Sequence, residues 1–560
     1  MPELLEDKRY KSAKTDLIYL LPSTFLAFGV ISVFLNQDNN WDLRNYHFYV
    51  GYAFLKSRFF YDFVPAQIQT FHNPFLYLPT YWLIQNLPPK TVGFLLGGIQ
   101  GINFLLSYII ARTALKDTLS IKRRISLSLL LAVSSTFSPL FLSELGTSFG
   151  DNITSLFVLL GVFLILNTIL LRKSSATRHS SFIIAGIFLG IAGGLKLPNI
   201  CFALAALVAI TLACEWHDKL WCAIKLLGGI VFGFLISYGY WMFFLFSNYQ
   251  NPLFPYYNKL FKSPYFGLIN FKDVRWTPKS ILDGLSYPFA WVAAKNPSSE
   301  IAFRDIRWAI AVILLMAIAL SFLVRRISPR TLRFPASSEG SHELTEPLAR
   351  KFIVIYVSVG FIVWLFQFGY SRYLIPLDLI SSIYLLCLLE ILLSFSSFQQ
   401  LFSFSGRLNV ACTRTFFIAA LFATILAVVQ VPDWGRASWR STWFGVERPN
   451  ITFPDNTIVL MLGSEPMSYV IPFFPSSVKF VRIQGNLFEN QELLRGTILQ
   501  QELEQLVQSH NGSFFTLSPG SSSPASFTTQ NVHLKIDKAK CTQVLANNEK
   551  FKLCQAFPAS

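Results

Sequence analysis

The chain has 560 residues, of which 52% are hydrophobic and only 14% are charged, and its formal net charge is +16. Soluble domains carry roughly 25% charged residues, so this composition excludes an ordinary water-soluble globular protein. The basic residues stand in short clusters between apolar runs, as they do in the inner loops of membrane proteins. We therefore expect a lipid bilayer around the chain and no nucleic-acid partner.

The first apolar run covers residues 17–35 and follows four basic residues between Lys8 and Lys14. A signal peptide has a shorter apolar core and a small-residue cleavage site after it. This run is long enough to cross the roughly 30 Å of membrane hydrocarbon, and it ends in Asn36-Gln37-Asp38 without such a site. We interpret it as an uncleaved first span.

The same length criterion predicts about eleven transmembrane helices in all. Their approximate bounds are 17–35, 92–114, 126–142, 151–171, 182–197, 199–214, 224–246, 308–324, 352–368, 374–394 and 415–431. The stretch 74–87 is also apolar, but it contains prolines and precedes Pro88-Pro89. We interpret it as a helix at the membrane interface, because counting it as a span would place Lys122-Arg123-Arg124 on the outer side.

The charge distribution gives the orientation. With the N-terminus in the cytoplasm, the predicted inner side contains Lys116, Lys122, Arg123, Arg124, Arg172, Lys173, Arg178, Lys219, Lys225, Arg325, Arg326, Arg330, Arg333, Arg350, Lys351, Arg407 and Arg414. This agrees with the positive-inside rule. The sequence therefore predicts a multi-pass protein of the plasma (inner) membrane, in the cell envelope, with an extracytoplasmic C-terminal tail.

Beyond the last span the apolar runs become short. The short runs 457–462 and 478–483 are strand-like and predict a small α/β domain over residues 432–560. Residues 1–431 would form the transmembrane module, with outer loops at 36–91, 143–150 and 247–307. The predicted fold is thus a polytopic α-helical membrane protein with a small α/β extracytoplasmic C-terminal domain.

The seven cysteines fall into two groups. The first group lies in predicted spans or on the inner side, has no metal-ligand spacing and is interpreted as small apolar residues: Cys201, Cys214, Cys222, Cys387 and Cys412. Cys541 and Cys554 lie close together in the predicted outer tail. Since an oxidising compartment allows them to pair, we expect a structural disulfide between them.

Charged residues at the outer ends of spans are functional candidates. Asp38 and Asp42 follow the first span four residues apart, so a helix there would place both on one face, with Arg44 and His47 nearby. A carboxylate in this position can take a proton from a hydroxyl of a substrate held at the interface. The alternative is a polar loop with solvated acids beside an interfacial belt of aromatic residues.

Glu144 and Asp151 bracket the second outer loop. Asp151 opens an apolar helix, so helix capping is the structural alternative for it, whereas capping does not explain Glu144. A second acid close to the first would serve as a partner base or as a metal ligand.

Lys196 and Arg372 stand at predicted outer junctions, where the positive-inside rule disfavours them. Phosphate would explain both, because a guanidinium clamps phosphate oxygens and an ammonium adds a point charge. The alternative is snorkelling to outer headgroups. The sequence has no Walker motif, nucleophile elbow or zinc signature, which disfavours an ATP-driven pump.

Together these residues resemble the GT-C superfamily of membrane glycosyltransferases, which use polyprenyl-phosphate-linked sugars. The strings that resemble uncharacterised bacterial members are Trp41-Asp-Leu-Arg-Asn-Tyr-His, Gly146-Thr-Ser-Phe-Gly-Asp, Asn251-Pro-Leu-Phe-Pro and Tyr370-Ser-Arg-Tyr. The resemblance covers most of the chain up to residue 431. The family's usual hallmark is an adjacent or closely spaced acid pair, whereas here Asp38 and Asp42 are four residues apart.

The resemblance implies a hexosyl- or pentosyltransferase whose donor enters laterally from the outer leaflet. An acceptor hydroxyl, on a glycan, lipid or protein, would lose its proton to an acid and attack the anomeric carbon with inversion. The implied catalytic residues are Asp42, Asp38, Asp151 and Glu144, and the implied substrate-binding residues are Arg372, Lys196, His47, His72 and Tyr373. A divalent cation, Mg²⁺ or Mn²⁺, on Asp42 and Asp151 is a further candidate that the sequence does not decide.

Three alternative functions stay open. A transporter or flippase of lipid-linked saccharides would need charges near the bilayer midplane, whereas most of these lie at the outer rim. An O-antigen-ligase-type enzyme would use Arg and His in a large outer loop, as Arg304, Arg307 and His72 allow. A scaffold would bind a partner through its outer tail.

Overall fold

A computed structural model describes residues 2–171, 175–215, 217–327, 343–395, 410–488, 491–520, 526–529 and 532–558. Its α-helices, in chain order, are α1 (Pro2–Phe34), α2 (Phe48–Leu55), α3 (Leu78–Asn86), α4 (Pro89–Ala114), α5 (Ile121–Thr136), α6 (Pro139–Glu144), α7 (Asp151–Leu170), α8 (Ser175–Leu195), α9 (Ile200–Ala213), α10 (Lys219–Tyr249), α11 (Asn258–Phe261), α12 (Ile281–Val292), α13 (Arg307–Ile327), α14 (Pro347–Gln367), α15 (Ile375–Asp378), α16 (Ser381–Leu393), α17 (Val410–Val428), α18 (Gln491–Leu494) and α19 (Ile498–Gln508). The strands are β1 (Ile458–Met461), β2 (Lys479–Arg482), β3 (Phe514–Pro519), β4 (Ser526–Thr529), β5 (Val532–Leu545) and β6 (Lys550–Pro558).

Apolar helices make this a polytopic membrane protein. Within the described residues, six helices are long and apolar enough to cross a membrane, namely α4, α7, α8, α10, α13 and α14. The segment Ser371–Asp378 and α16 would add one span, bent by 64°. Three shorter apolar helices cover Ile18–Phe34, Leu197–Ala213 and Ile418–Val428. Each predicted span falls on a helix, but the count of about eleven stays a prediction.

The predicted span 126–142 is wrong in its outer bound. The helix α5 ends at Thr136 and a separate short helix, α6, begins at Pro139. Proline cannot continue a helix because it lacks an N–H and its ring clashes with the preceding turn. The side chain of Ser138 instead caps α6 by accepting a hydrogen bond from the backbone N–H of Phe141. The break turns Glu144 toward the interior of the protein, where it is fully buried.

Glycines let two helices approach closely and fix the end of α8. Gly186 and Gly190 on α8 face backbone atoms of Leu226 and Ile230 on α10, with no room for a side chain at either position. Gly233 on α10 likewise faces the carbonyl of Ile187. Close backbone contact through small residues four apart is a common way for membrane helices to pack. The contact holds the end of α8, which carries Lys196, in a fixed position.

The C-terminal residues form a mixed sheet, as the strand-like runs at 457–462 and 478–483 predict. The order of the described strands is β2-β1-β3-β6-β5-β4, with β1 parallel to β2 and β3 and with antiparallel pairing in the remainder. The helix α19 buries Leu499, Leu503 and Val507, which recur at the spacing of one helix face. A disulfide joins Cys541 and Cys554, which are cross-strand partners in β5 and β6.

This sheet docks onto the chain segment that follows α1. The backbone of Phe63 bonds to β2 on both sides, donating to Phe480 and accepting from Arg482. Arg58 pairs with Asp62 and also donates to the carbonyls of Ser476 and Val478. Because these groups are buried, the sheet and residues 36–91 position each other, and this fixes the helix that carries Asp42.

Candidate active site

Charged residues from four separate segments gather at one end of the membrane helices. Arg372 Nη2 lies 2.9 Å from Asp42 Oδ2, and Lys196 Nζ lies 2.5 Å from Asp151 Oδ2. Glu144 is fully buried beside them, and its charge interacts with Asp151, Arg372 and Lys196. The predicted candidates Asp42, Glu144, Asp151, Lys196 and Arg372 therefore belong to one cluster.

Asp42 stands at the start of a helical turn and remains within reach of a substrate. A π-helical turn, Leu43–His47, follows it and runs directly into α2. The side chain of Asp42 is 16% exposed, so it is mostly enclosed but not sealed. Burial raises the pKa of Asp42, but the charges around it, with Arg372 foremost, outweigh burial and leave the pKa below its ordinary value. Asp42 is therefore ionised at neutral pH.

Arg372 is held in a box of aromatic rings. Its guanidinium carbon lies 4.0 Å from the ring centre of Phe149, 5.0 Å from that of Tyr370 and 5.2 Å from that of Trp434. Aromatic faces attract a guanidinium and hold it flat. Nη2 donates to Asp42, while Nε has no hydrogen-bond partner among the described residues. Nε is itself buried, so it is not open to a ligand in this conformation.

Asp151 and Lys196 form a second pair of an acid and a cation, like the pair of Asp42 and Arg372. Lys196 follows α8 directly, just before Pro198, and its ammonium also lies 5.1 Å from the ring centre of Tyr373. Burial, and then the negative charge of Asp151, raise the pKa of Glu144 well above its ordinary value. The protonated form of Glu144 is thereby favoured, and in that form the acid can donate a hydrogen bond to Asp151. Neither of its oxygens has a donor among the other described groups.

Asp38 does not share a helix face with Asp42, so that expectation is wrong. Asp38 precedes the helix, and its carboxylate accepts from the backbone N–H of Asn40 at 3.0 Å and from that of Ser148 at 2.7 Å. The Asn40 side chain also donates to it. The side chain is only 2% exposed. Asp38 thus ties the segment after α1 to the loop 143–150, and its acceptor sites are taken by backbone donors.

The two histidines lie near the cluster as neutral groups. His47 Nδ1 lies 2.8 Å from Ser148 Oγ, and its ring stacks on Tyr77 with 4.4 Å between the ring centres. His72 Nε2 lies 3.0 Å from the hydroxyl of Tyr256. Burial lowers the pKa of His47 well below its ordinary value and that of His72 to about 4. Both rings can form hydrogen bonds to a substrate, but neither supplies a positive charge at neutral pH.

Sequence reasoning missed the residues that close the site from the tail. Trp434 completes the aromatic box and donates to Ser143 Oγ at 3.0 Å. Arg436 donates to the carbonyls of Asn36, Ser143 and Leu145 and so clamps two loops together. The only signal in the sequence was an aromatic residue and an arginine immediately after the last predicted span, at 434 and 436.

The overall fold is similar to that of a solved membrane protein. The crystal structure of ArnT from Cupriavidus metallidurans bound to undecaprenyl phosphate matches with a TM-score of 0.52 at 12% sequence identity. The match covers 96% of this chain and 98% of that chain. The chain shares the overall fold of that protein. The resemblance noted in the sequence is therefore confirmed at the level of the fold.

A second solved structure is less similar to the chain. The oligosaccharyltransferase of Archaeoglobus fulgidus in its apo form matches at 13% identity over 90% of this chain and 70% of that chain, with a TM-score of 0.40. A score this low carries no argument about the fold. No protein-family model matches the chain, and no curated protein matches it.

The acids of the cluster do not form a ready metal site. Asp42 and Asp151 are each paired with a cation. Among the described residues, the one cluster of three close metal-ligand types is His179, Asp218 and Cys222, where Asp218 is already paired with Arg178. A divalent cation on Asp42 and Asp151 stays a hypothesis, and no step below depends on it.

The arginines that keep the ligase-type alternative open lie away from the acid cluster. Arg307 is 1% exposed and pairs with Asp305 and Asp378 at the start of α13. The backbone of Arg304 pairs with that of Gln430. Arg307 thus joins the ends of helices, which is a structural role, and His72 is the one residue of that set beside the acid cluster.

Proposed function

We propose that the chain is a glycosyltransferase that moves a sugar from a polyprenyl-phosphate donor to an acceptor hydroxyl, with Asp42 as the general base. The observation that carries the proposal is the pair formed by Arg372 and Asp42. It puts a phosphate-binding guanidinium 2.9 Å from a carboxylate that can take a proton. The ArnT structure of the same fold holds undecaprenyl phosphate, which supports a lipid phosphate as the donor.

The pair also suggests how donor binding prepares the base. The phosphodiester group of a polyprenyl-phosphate sugar carries one negative charge, as a carboxylate does, so an arriving donor can compete with Asp42 for Arg372. As the guanidinium turns to the phosphate, Asp42 loses the neighbour that lowers its pKa. Burial then raises that pKa, and Asp42 becomes a stronger base in the presence of the donor. Without a bound donor Asp42 stays the weaker base, so it takes few protons unproductively.

In the transfer step Asp42 takes the proton of the acceptor hydroxyl. The hydroxyl oxygen forms a bond to the anomeric carbon of the sugar, and the bond from that carbon to the phosphate oxygen breaks. The polyprenyl phosphate leaves with the bonding electron pair, and Arg372 stabilises its charge. One base and a good leaving group need no covalent intermediate, so the anomeric configuration inverts.

The remaining candidates have supporting roles in this proposal. Lys196 is the second cation available to the donor phosphate, and Asp151 holds it in place. Neutral Glu144 orients Asp151 through a hydrogen bond. His47, His72 and Tyr373 offer polar groups to the sugar. The reaction would take place at the outer face of the plasma membrane, with a glycan, lipid or protein acceptor.

The proposal is tested with purified protein in nanodiscs and a panel of polyprenyl-phosphate sugars. We expect release of polyprenyl phosphate from one donor class, and loss of that release in Asp42→Asn. Asp455→Asn is the matched control, because Asp455 is exposed in the tail and takes no part in the site. A well-folded protein that releases polyprenyl phosphate from no donor, with or without acceptor glycans, would contradict the proposal.

A further inference from the structure

The helix α12 exposes a stripe of large apolar side chains. The exposed fractions are 71% for Ile281, 79% for Leu282, 48% for Leu285, 43% for Phe289 and 38% for Val292. At 3.6 residues per turn, these five positions fall within an arc of about 100°, the width of the face that an amphipathic helix normally buries. Within the described part of the chain nothing covers this stripe.

The opposite face of α12 packs on α14, and this contact sets how deep α12 lies relative to the membrane. Gly284 lies against Leu365 of α14, and the ring of Trp291 lies 6.3 Å from that of Trp364 and 6.5 Å from that of Phe361. These α14 residues belong to its last two turns, within roughly 9 Å of its end at 1.5 Å per residue. Since α14 is long and apolar enough to cross a membrane, α12 lies where a span leaves the hydrocarbon.

The segment around α12 is also basic. Between residues 257 and 295 the basic residues are Lys259, Lys262, Lys272, Arg275, Lys279 and Lys295, all exposed, and the acids are Asp273 and Asp283, which gives 6 − 2 = +4. Three more apolar side chains in the segment are exposed by 65% or more, namely Leu260, Leu268 and Val274. So many basic residues in a predicted outer loop run against the positive-inside rule. Within the described residues only Arg275 of this set is paired with an acid, Asp273, which leaves the lysines for a partner of opposite charge.

The same segment is attached to the residues beside Arg372. The backbone N–H of Ser371 donates to the carbonyl of Ser298 at 2.8 Å, and the hydroxyl of Tyr370 donates to Glu300 at 2.6 Å. Lys272 donates to the carbonyl of Phe366 at 3.0 Å. A contact that fixes the position of α12 would therefore also restrain the backbone that carries Arg372.

We propose that residues 257–295 form a lipid-docking surface. Its apolar stripe enters the leaflet on the side of the active site, and its lysines bind the phosphate headgroups of anionic phospholipids. An amphipathic helix with basic flanks binds anionic membranes in this way, about 5–10 Å into the headgroup region. The depth of α12 on α14 favours lipid over a protein partner, because lipid already surrounds α14 at that level. This proposal does not depend on sugar transfer.

Insertion is tested with the full chain in nanodiscs, with a fluorophore at Leu282→Cys or at Leu285→Cys and with quencher groups on the lipid acyl chains. We expect quenching several-fold stronger than for the same fluorophore at Gln508→Cys, an exposed position on α19. Protein without the introduced cysteine gives the background. Quenching at both stripe positions equal to that at Gln508→Cys would overturn the proposal and leave the stripe for a protein partner.

The charge requirement is tested with the same readout. Adding phosphatidylglycerol to neutral nanodiscs should increase the quenching at Leu282→Cys. The increase should disappear when Lys259, Lys279 and Lys295 are all changed to Gln. It should persist when Lys535, Lys538 and Lys540, exposed lysines of the tail, are changed to Gln instead. An increase that survives equally in both triple variants would overturn the assignment to anionic headgroups.

Discussion

Arg372 Nη2 lies 2.9 Å from Asp42 Oδ2, although the two residues are 330 positions apart in the chain. The pair joins the residue best placed to bind a phosphate to the residue best placed to accept a proton. In the absence of a donor each neutralises the other. In the proposed reaction the substrate must therefore separate them, and the negatively charged phosphate of the donor would compete with Asp42 for Arg372.

Asp42→Asn should remove most of the turnover. General-base catalysis supplies about 10²–10⁴-fold in rate, and an amide of the same shape cannot take the proton. The change also frees Arg372 from a charged partner, so the donor should bind at least as tightly as it does to the wild type. Turnover and donor binding are measured on matched preparations. Transfer at the wild-type rate would show that Asp42 is not the base.

Asp38→Asn should lower the stability of the fold more than it lowers the rate of sugar transfer. Asp38 accepts hydrogen bonds from the backbone of Asn40 and Ser148 in a buried position. An amide in its place has one acceptor oxygen, which leaves a buried donor without a partner at a cost of about 1–3 kcal/mol. Thermal unfolding in nanodiscs measures this loss. Unchanged stability together with lost transfer would instead assign Asp38 to the chemical step.

Arg372→Ala should weaken donor binding more than it slows turnover of bound donor. Removal of the guanidinium removes the bidentate contact that phosphate prefers. The KM for the donor should rise by at least about tenfold, whereas Arg448→Ala, at an exposed position in the tail, should leave it unchanged. An unchanged KM in Arg372→Ala would place the phosphate elsewhere, with Lys196 as the next candidate.

The pH dependence of kcat/KM should change when Arg372 is removed. In the wild type the cation holds the pKa of Asp42 below its ordinary value of 3.8, so Asp42 stays ionised and kcat/KM should be flat from about pH 8 to about pH 5. Without Arg372, burial raises the pKa of Asp42, and the acidic limb should shift to higher pH. The same profile in Arg372→Ala and in the wild type would argue against Asp42 as the titrating base.

Reduction of the bond between Cys541 and Cys554 should destabilise the C-terminal sheet. The bond closes a short loop between two cross-strand partners, and such a link contributes on the order of 3 kcal/mol. Mass spectrometry of the unreduced protein should find the two cysteines joined. Detection of both thiols in the free form would contradict the predicted oxidising location of the tail.

The sequence alone determined the features that depend on local pattern. Apolar runs mark the membrane helices because each span must satisfy its own backbone and present apolar side chains to lipid. The strands β1 and β2 were likewise predictable from short apolar runs typical of buried strands. Asp42 and Arg372 stood out because a charge at the end of a span is costly unless it has a partner.

Only the tertiary structure decided which charges meet. Both Asp38 and Asp42 were candidates for the base from the sequence, with Asp42 preferred, and packing turns Asp38 onto the backbone of Ser148 and leaves Asp42 facing Arg372. Trp434 joins the same site from the tail. Partners this far apart in the chain are brought together by the packing of helices and of the sheet. A short-range pattern carries no information about such contacts.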